Sequence, residues 1–259
     1  MIPRIIHYTW FSGEEFPPKI RRCIDSWHEH LPDWELRIWD MTAIERIDSA
    51  FLREAIAARK WAYAADYVRL YAVYHHGGVY LDTDAMLLRP LDEFLKQRAF
   101  IGKENSIHFT GSSLPSQYLT AHCFGAEPKH PFIKRCLDYF AGRHFVTSND
   151  ESLPQPLRFN FVLLPFIQSE IARQMGYDPR PLAQQLQILD DGLAVYPTEY
   201  FDVAHDNKYG VVKHLALGSW RADQPQNPTY DLKYKLTWRF LAPFKWVLRK
   251  FNYVCYSIE

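Results

Sequence analysis

Residues 60–84 constrain the fold more than any other stretch of the chain. A helix-forming run from Lys60 to His76 is halted by Gly77-Gly78, the apolar triplet Val79-Tyr80-Leu81 follows, and Asp82-Thr83-Asp84 comes next. Paired glycines end a helix, and a short apolar run directly behind them reads as a buried strand. Strands buried on both faces belong to parallel sheets covered by helices. The two aspartates then stand where such a strand ends, the place at which open α/β sheets bind ligands.

The opening of the chain asks for the same architecture. Ile5 to Trp10 reads as a strand, broken by Phe11-Ser12-Gly13. A helix is predicted from Pro18, because Ile20, Cys23, Ile24, Trp27 and Leu31 recur at helical spacing. Leu36 and Ile38 alternate with Glu35 and Arg37 in a second strand, Trp34 to Asp40. Strand, helix, strand begins a βαβ unit and a parallel sheet. Helical segments are expected across 42–58, 60–76, 131–141 and 161–175. Weaker strand signals lie at 100–101, 119–124, 193–196 and 211–215. The polar stretch Thr147 to Pro156 reads as a loop. The expectation is an α/β fold, one domain over residues 1–230 with a mostly parallel central sheet and flanking helices.

The 30 basic and 30 acidic residues cancel, so the basic footprint of a general nucleic-acid binder is missing and no nucleic-acid partner is expected. Cys23, Cys123, Cys136 and Cys255 form no CxxC pair, which speaks against zinc sites and disulfide frameworks and for a reducing compartment. The start of the sequence shows no signal-like apolar region and no 18-residue apolar span occurs, so a cytoplasmic location is expected. Residues 231–259 differ in composition: Lys233, Lys235, Arg239, Lys245, Arg249 and Lys250 interleave with Trp238, Phe240, Phe244, Trp246 and Phe251. This reads either as an amphipathic segment on an anionic membrane surface, on the cytoplasmic face, or as a terminal helix docked on the domain.

A bare D-x-D arises by chance, so the setting of Asp82 and Asp84 carries the signal rather than the pair itself. At a strand end that bends, one carboxylate can take a hard divalent cation, Mn²⁺ or Mg²⁺, while the other works through water or on a hydroxyl. Such a cation keeps positions open for diphosphate oxygens. The alternative is an Asx-type turn. In the preceding helix, Asp66 and Arg69 are three residues apart and share a face. They read either as an internal ion pair or, with the small Ala62 and Ala65 leaving room, as two charges that hydrogen-bond a sugar.

Three ordered blocks, Ile2-Pro3-Arg4-Ile5-Ile6-His7-Tyr8-Thr9-Trp10, Ala65-Asp66-Tyr67-Val68-Arg69-Leu70 and Gly77 through Asp84, resemble the DXD sugar transferases of glycosyltransferase family 32. They are also similar to the catalytic domains of the large clostridial glucosylating toxins. The resemblance implies a GT-A fold, a nucleotide-sugar donor with UDP favoured over GDP, a Mn²⁺ or Mg²⁺ ion, and retention of anomeric configuration. It further implies a glycan or lipid-linked saccharide acceptor, as in surface polysaccharide synthesis. By position, Trp10 would stack on the base, with Thr9 and Tyr80 in the same donor-binding set. Asp66 and Arg69 would hold the donor sugar, Asp82 would contact ribose or sugar, and Asp84 would ligate the metal. His214-Leu215-Ala216-Leu217-Gly218-Ser219-Trp220 resembles the family's closing element, with His214 as a further ligand and Ser219 and Trp220 on the diphosphate. Between the blocks, Pro156 to Val162 departs from a Thr-centred motif common among relatives, on the acceptor side.

Two other readings compete. A glycoside or nucleotide-sugar hydrolase would use Asp82 and Asp84 as its acid pair, although glycosidase carboxyls usually face each other across the scissile bond. A non-catalytic sugar- or nucleotide-binding module would keep the aromatics and need no metal pair.

Overall fold

The computed structural model describes residues 1–106, 116–203 and 207–217, with the backbone of residues 107–109 and 254–257. In chain order the elements are β1 (Ile5–Thr9), α1 (Pro18–His30), β2 (Glu35–Trp39), α2 (Met41–Ile44), α3 (Ala50–Ala57), α4 (Trp61–His76), β3 (Gly78–Leu81) and β4 (Ala85–Leu87). They continue with β5 (Ala99–Phe109), β6 (Ser116–Ala126), α5 (Pro131–Asp138), α6 (Gln155–Arg158), α7 (Leu164–Arg173), β7 (Gln187–Ile188), β8 (Leu193–Tyr196), α8 (Thr198–Phe201), β9 (Val212–His214) and β10 (Val254–Ser257).

The main sheet runs β2-β1-β3-β6-β5-β8-β7. β2, β1 and β3 are parallel, β5 and β8 are parallel, and β6 and β7 run against the rest. This is the expected α/β architecture with a largely parallel central sheet: a parallel βαβ half followed by a reversed strand. β10 pairs in parallel with the far end of β5, from Ser106 to Phe109. The remainder of 231–259, on which the membrane reading rests, lies outside the described residues. Among the described residues no helix is long and apolar enough to cross a membrane.

Each strand sends successive residues to opposite faces. Val79 and Leu81 enter a core built with Ile20, Ile24 and Trp27 of α1, while Tyr80 between them joins the opposite core with Phe51, Val68, Phe132 and Ile167 of α3, α4, α5 and α7. Two apolar layers thus clamp the central strands, which is why β3 is buried along its length.

The elements differ from expectation in ways with local causes. The run 42–58 is two helices, because each has its own cap: Asp40 Oδ1 accepts from Ala43 N at 2.8 Å and Ser49 Oγ from Leu52 N at 3.2 Å. The later helix begins at Leu164 rather than 161, with Pro165 in its first turn. Val212–His214 pairs with β4 in a separate two-stranded ribbon.

Candidate active site

The Gly77-Gly78 stop sets the site. Gly77 caps α4 with φ 66° and Gly78 follows at φ 98°, values costly for side-chain-bearing residues. A Cβ on Gly77 would stand 2.7 Å from Pro128 Cδ, and one on Gly78 2.7 Å from the Ile5 carbonyl. The buried His7 ring donates from Nε2 to the Gly77 carbonyl at 2.8 Å and accepts from Trp39 Nε1 at 3.1 Å, pinning this corner to β1 and β2. The chain therefore turns at once from α4 into β3, beside β1.

At the far end of β3, Asp82 to Ala85 forms a turn closed by Ala85 N donating to Asp82 O at 2.9 Å. Trp27 Nε1 of α1 donates to the Ala85 carbonyl at 2.7 Å, and Ser26 Oγ accepts from Leu87 N at 3.0 Å. These bonds hold β4, and β4 places its partner: Ala85 pairs with His214 across the ribbon. The donor atoms of Asp82, Asp84 and His214 consequently all lie within 4.8 Å of one another.

The Asp84 carboxylate is held on both oxygens. His214 Nε2 lies 3.2 Å from Oδ1, and Leu217 N donates to Oδ2 at 2.9 Å. Ala216, at φ 47°, supplies the left-handed bend that brings Leu217 round. Burial alone would raise the Asp84 acid, but the bond and charge of His214 outweigh it and keep Asp84 below its ordinary range. Conversely, burial disfavours the His214 cation, yet Asp84, with Asp82 behind it, holds the ring up at about 9. A divalent cation at this point would take over the proton's place between them.

On the other side of Asp82 stands Arg69. Its Nη2 lies 3.3 Å from Asp66 Oδ1 and 3.3 Å from Asp82 Oδ1, while Nη1 donates to the Ala121 carbonyl at 2.7 Å and Nε to Ala65 O at 3.2 Å. The guanidinium lies 4.6 Å from the Tyr80 ring centroid. Tyr80 donates its hydroxyl to Asp82 Oδ1 at 2.9 Å and accepts from Thr9 Oγ1 at 3.1 Å. Asp66 is buried, and burial pushes its carboxyl up to about 6 against the pull of Arg69. The internal ion pair of the sequence reading is thus present and extended: Arg69 is a shared cation between two acids. Trp10, next to Thr9, is half-buried, its Nε1 donating to Glu14 O at 2.7 Å and its ring 4.9 Å from Phe16.

Of the residues named from sequence, Asp66, Arg69, Tyr80, Asp82, Asp84, His214 and Thr9 are brought together by this network. Trp10 sits beside it, and Ser219 and Trp220 lie outside the described residues. Sequence reasoning missed His122 and Asp202, whose donor atoms lie within 4.8 Å of each other and of His214. Each stands alone in sequence, without motif or spacing to mark it.

The donor set suits a hard to borderline cation: carboxylate oxygens match Mg²⁺ and Mn²⁺, and an imidazole nitrogen shifts the preference toward Mn²⁺. Two carboxylates and a ring already gathered at one point fit such an ion without rebuilding the turn.

Residues 17–101 match the family model described as glycosyltransferase sugar-binding region containing DXD motif. The chain is 29% identical over 154 residues to inositol phosphoceramide mannosyltransferase 1 of Schizosaccharomyces pombe, covering 56% of this chain and 45% of that protein. It is 28% identical over 161 residues to an uncharacterized glycosyltransferase of Acanthamoeba polyphaga mimivirus, 59% of each. It is 32% identical over 87 residues to human alpha-1,4-N-acetylglucosaminyltransferase, 33% of this chain and 22% of that one. The chain spans about half the length of the first two.

Proposed function

We propose that this chain, whose residues 17–101 match the DXD-containing sugar-binding region of glycosyltransferases, is such an enzyme and moves a hexose from a nucleotide-sugar donor to a glycan or lipid-linked acceptor with a divalent cation at Asp82, Asp84 and His214. The observation that carries the reading is the convergence of those three side chains, with His214 lying 130 residues beyond Asp84 in sequence, next to the Asp66–Arg69–Asp82 cluster. When bound, the cation supplies positive charge to the diphosphate as it departs.

The chain's own groups do the rest. Arg69 bridges Asp66 and Asp82 and fixes both, so their remaining oxygens present acceptors to hydroxyls of the donor. Tyr80, bonded to both Thr9 and Asp82, locks the Asp82 carboxylate in one orientation. Trp10 offers a flat face beside Thr9 for the base. Positioning of this kind, in a site built on buried strands and a buried helix, supplies most of the rate in such transfers. With no carboxylate assigned beneath the anomeric carbon, attack on the leaving-group side accounts for retention.

UDP remains the favoured donor from the sequence resemblance. A mannosyl donor carried on GDP is the second reading, favoured by the similarity to a mannosyltransferase, which also brings an inositol phosphoceramide-type acceptor into the reading beside a surface glycan. The hydrolase reading is weaker, because Asp82 and Asp84 share one turn and each is engaged by its own partner.

The test is turnover and melting temperature with UDP- and GDP-sugars, with and without Mn²⁺, in wild type and Asp84→Asn. Mn²⁺-dependent donor turnover lost in the variant supports the proposal. Metal-independent nucleotide binding unchanged in Asp84→Asn overturns it, as does glycan cleavage without a nucleotide sugar. Binding without turnover for every acceptor tried favours the binding module. The cytoplasmic, membrane-peripheral setting belongs to the same proposal. It is read by flotation with anionic liposomes after reversing Lys245, Arg249 and Lys250 to Glu, since truncation would also remove β10 from the sheet.

A further inference from the structure

His214 belongs to two groups of convergent donor atoms: one with Asp82 and Asp84, the other with His122 and Asp202. Ring geometry separates them. His122 and His214 are stacked, centroids 4.2 Å apart and planes within 18° of parallel. An imidazole nitrogen binds a cation along the lone pair in its own ring plane. Stacked rings send their lone pairs side by side instead of toward one point, so one ion does not lie in both planes. The second group is therefore not a second cation site of this form.

What remains is a rigid platform beneath His214. The His122 ring is buried at 5% exposure, and its Nε2 donates to the Phe201 carbonyl at 2.7 Å. The next residue, Asp202, is itself anchored, its Oδ2 accepting from Asn105 N at 2.6 Å. The backbone carbonyl of His122 accepts from Asp82 N at 2.9 Å. One residue is thus tied through its main chain to the first acid of the pair and through its ring face to the imidazole that meets the second. His214, by contrast, ends a three-residue strand in a two-stranded ribbon, and little of its own element fixes its ring.

We infer that His122 is a positioning residue, whose fixed ring holds the His214 imidazole in the plane that aims Nε2 at Asp84. The inference rests on the reading of Asp82, Asp84 and His214 as a cation site. Groups that orient a ligand imidazole are worth roughly 10- to 100-fold in metal affinity. The usual device is a hydrogen bond to the ring's second nitrogen; here it is a stacked face.

Mn²⁺ binding, followed by the resonance of the free aqueous ion, tests this in wild type, Asp84→Asn, His122→Ala, His122→Phe, His214→Ala and the His122→Ala/His214→Ala double variant. Melting temperature is read on each, so that affinities are compared among folded molecules. His122→Ala is expected to weaken Mn²⁺ binding roughly 10- to 100-fold. His122→Phe keeps a flat face and should recover most of that loss, although it gives up the bond to the Phe201 carbonyl. In the His214→Ala background, removing His122 should cost nothing further, because there is no ring left to hold. Wild-type affinity in His122→Ala overturns the inference. So does an equal loss in the His214→Ala background, which would mean that His122 acts by another route. If wild type and Asp84→Asn alike bind no Mn²⁺, the cation reading itself falls and the role of His122 with it. That case is told apart by the behaviour of Asp84→Asn.

Discussion

The guanidinium of Arg69 stands 3.3 Å from the Asp82 carboxylate, joining a helix that precedes the sheet strand to the acid that follows it. The same nitrogen lies 3.3 Å from Asp66, and both Asp66 and Arg69 are buried. Removing one member of such a cluster leaves buried charge without compensation, at a cost of about 3–5 kcal/mol. Arg69→Ala is expected to lower the melting temperature by about 10 °C. Arg69→Lys keeps the charge but not the fan of donors to Ala65, Ala121, Asp66 and Asp82. It should fold, and lose roughly 10²-fold in donor turnover through misplacement of the acids. Calorimetry and steady-state rates on the two variants separate the effects; an active Lys variant would remove Arg69 from the site.

Trp10 presents a half-buried ring whose nitrogen is already satisfied by Glu14, leaving its face as the group on offer. Base stacking on an aromatic is worth about 1–3 kcal/mol. Trp10→Ala should weaken binding of the free nucleoside diphosphate by roughly 10- to 100-fold while leaving Mn²⁺ affinity in its absence unchanged. Titration calorimetry reads both. Equal nucleotide affinity in the variant assigns the ring to packing against Phe16.

His7 ties pH to stability rather than to the site. Burial is the chief reason that its ring titrates at about 4 instead of 6.5, assisted by Arg37 and opposed by the Gly77 bond. Trp39 donates to Nδ1, so a proton there would set two donors against each other. The unfolded chain binds the proton first. The stability that His7 contributes is complete above pH 6.5 and lost as pH falls through the folded value near 4, by at most about 3 kcal/mol. Melting temperatures of wild type and His7→Gln between pH 7.5 and 4 check this. The variant starts lower and should fall less steeply; parallel curves would place the titrating group elsewhere.

Gly77 and Gly142 have nearly the same backbone, φ 66° and φ 68°, in different surroundings. A Cβ at Gly77 overlaps Pro128 and Pro3, whereas at Gly142 nothing lies within 4 Å. Gly142→Ala should cost only the left-handed penalty of roughly 1 kcal/mol, and Gly77→Ala clearly more. Denaturant unfolding of the two variants measures the difference. Equal losses would show that the prolines give way.

The sheet's first half was legible because its signals are local: apolar spacing in α1, alternation in β2, and two glycines before an apolar triplet. The half that includes β5, β6 and β8 was visible only as fragments, since strand extent there is set by pairing across the sheet. At the site, Asp66 and Arg69 could be paired from a spacing of three, and Asp82 and Asp84 from a spacing of two. The ion pair between Arg69 and Asp82 needed the fold, as did the choice of β4 as the partner of β9. His122 and Asp202 left no trace in sequence, because a ring that supports another ring from a distant strand has no spacing to betray it.

The two-stranded ribbon of β4 and β9 also governs the order in which the protein can become competent. Asp84 and His214 meet only through that pairing, which joins segments made far apart during synthesis. A nascent chain released as far as β8 has the strands for the main sheet up to that point and the acid pair within it, but no imidazole to complete the trio. Sites closed by such distant contacts assemble late, after the local helices and neighbouring strands are in place. On the cation reading, affinity for the ion therefore appears only once β9 has paired with β4, and a chain ending before β9 would carry the motif without the centre.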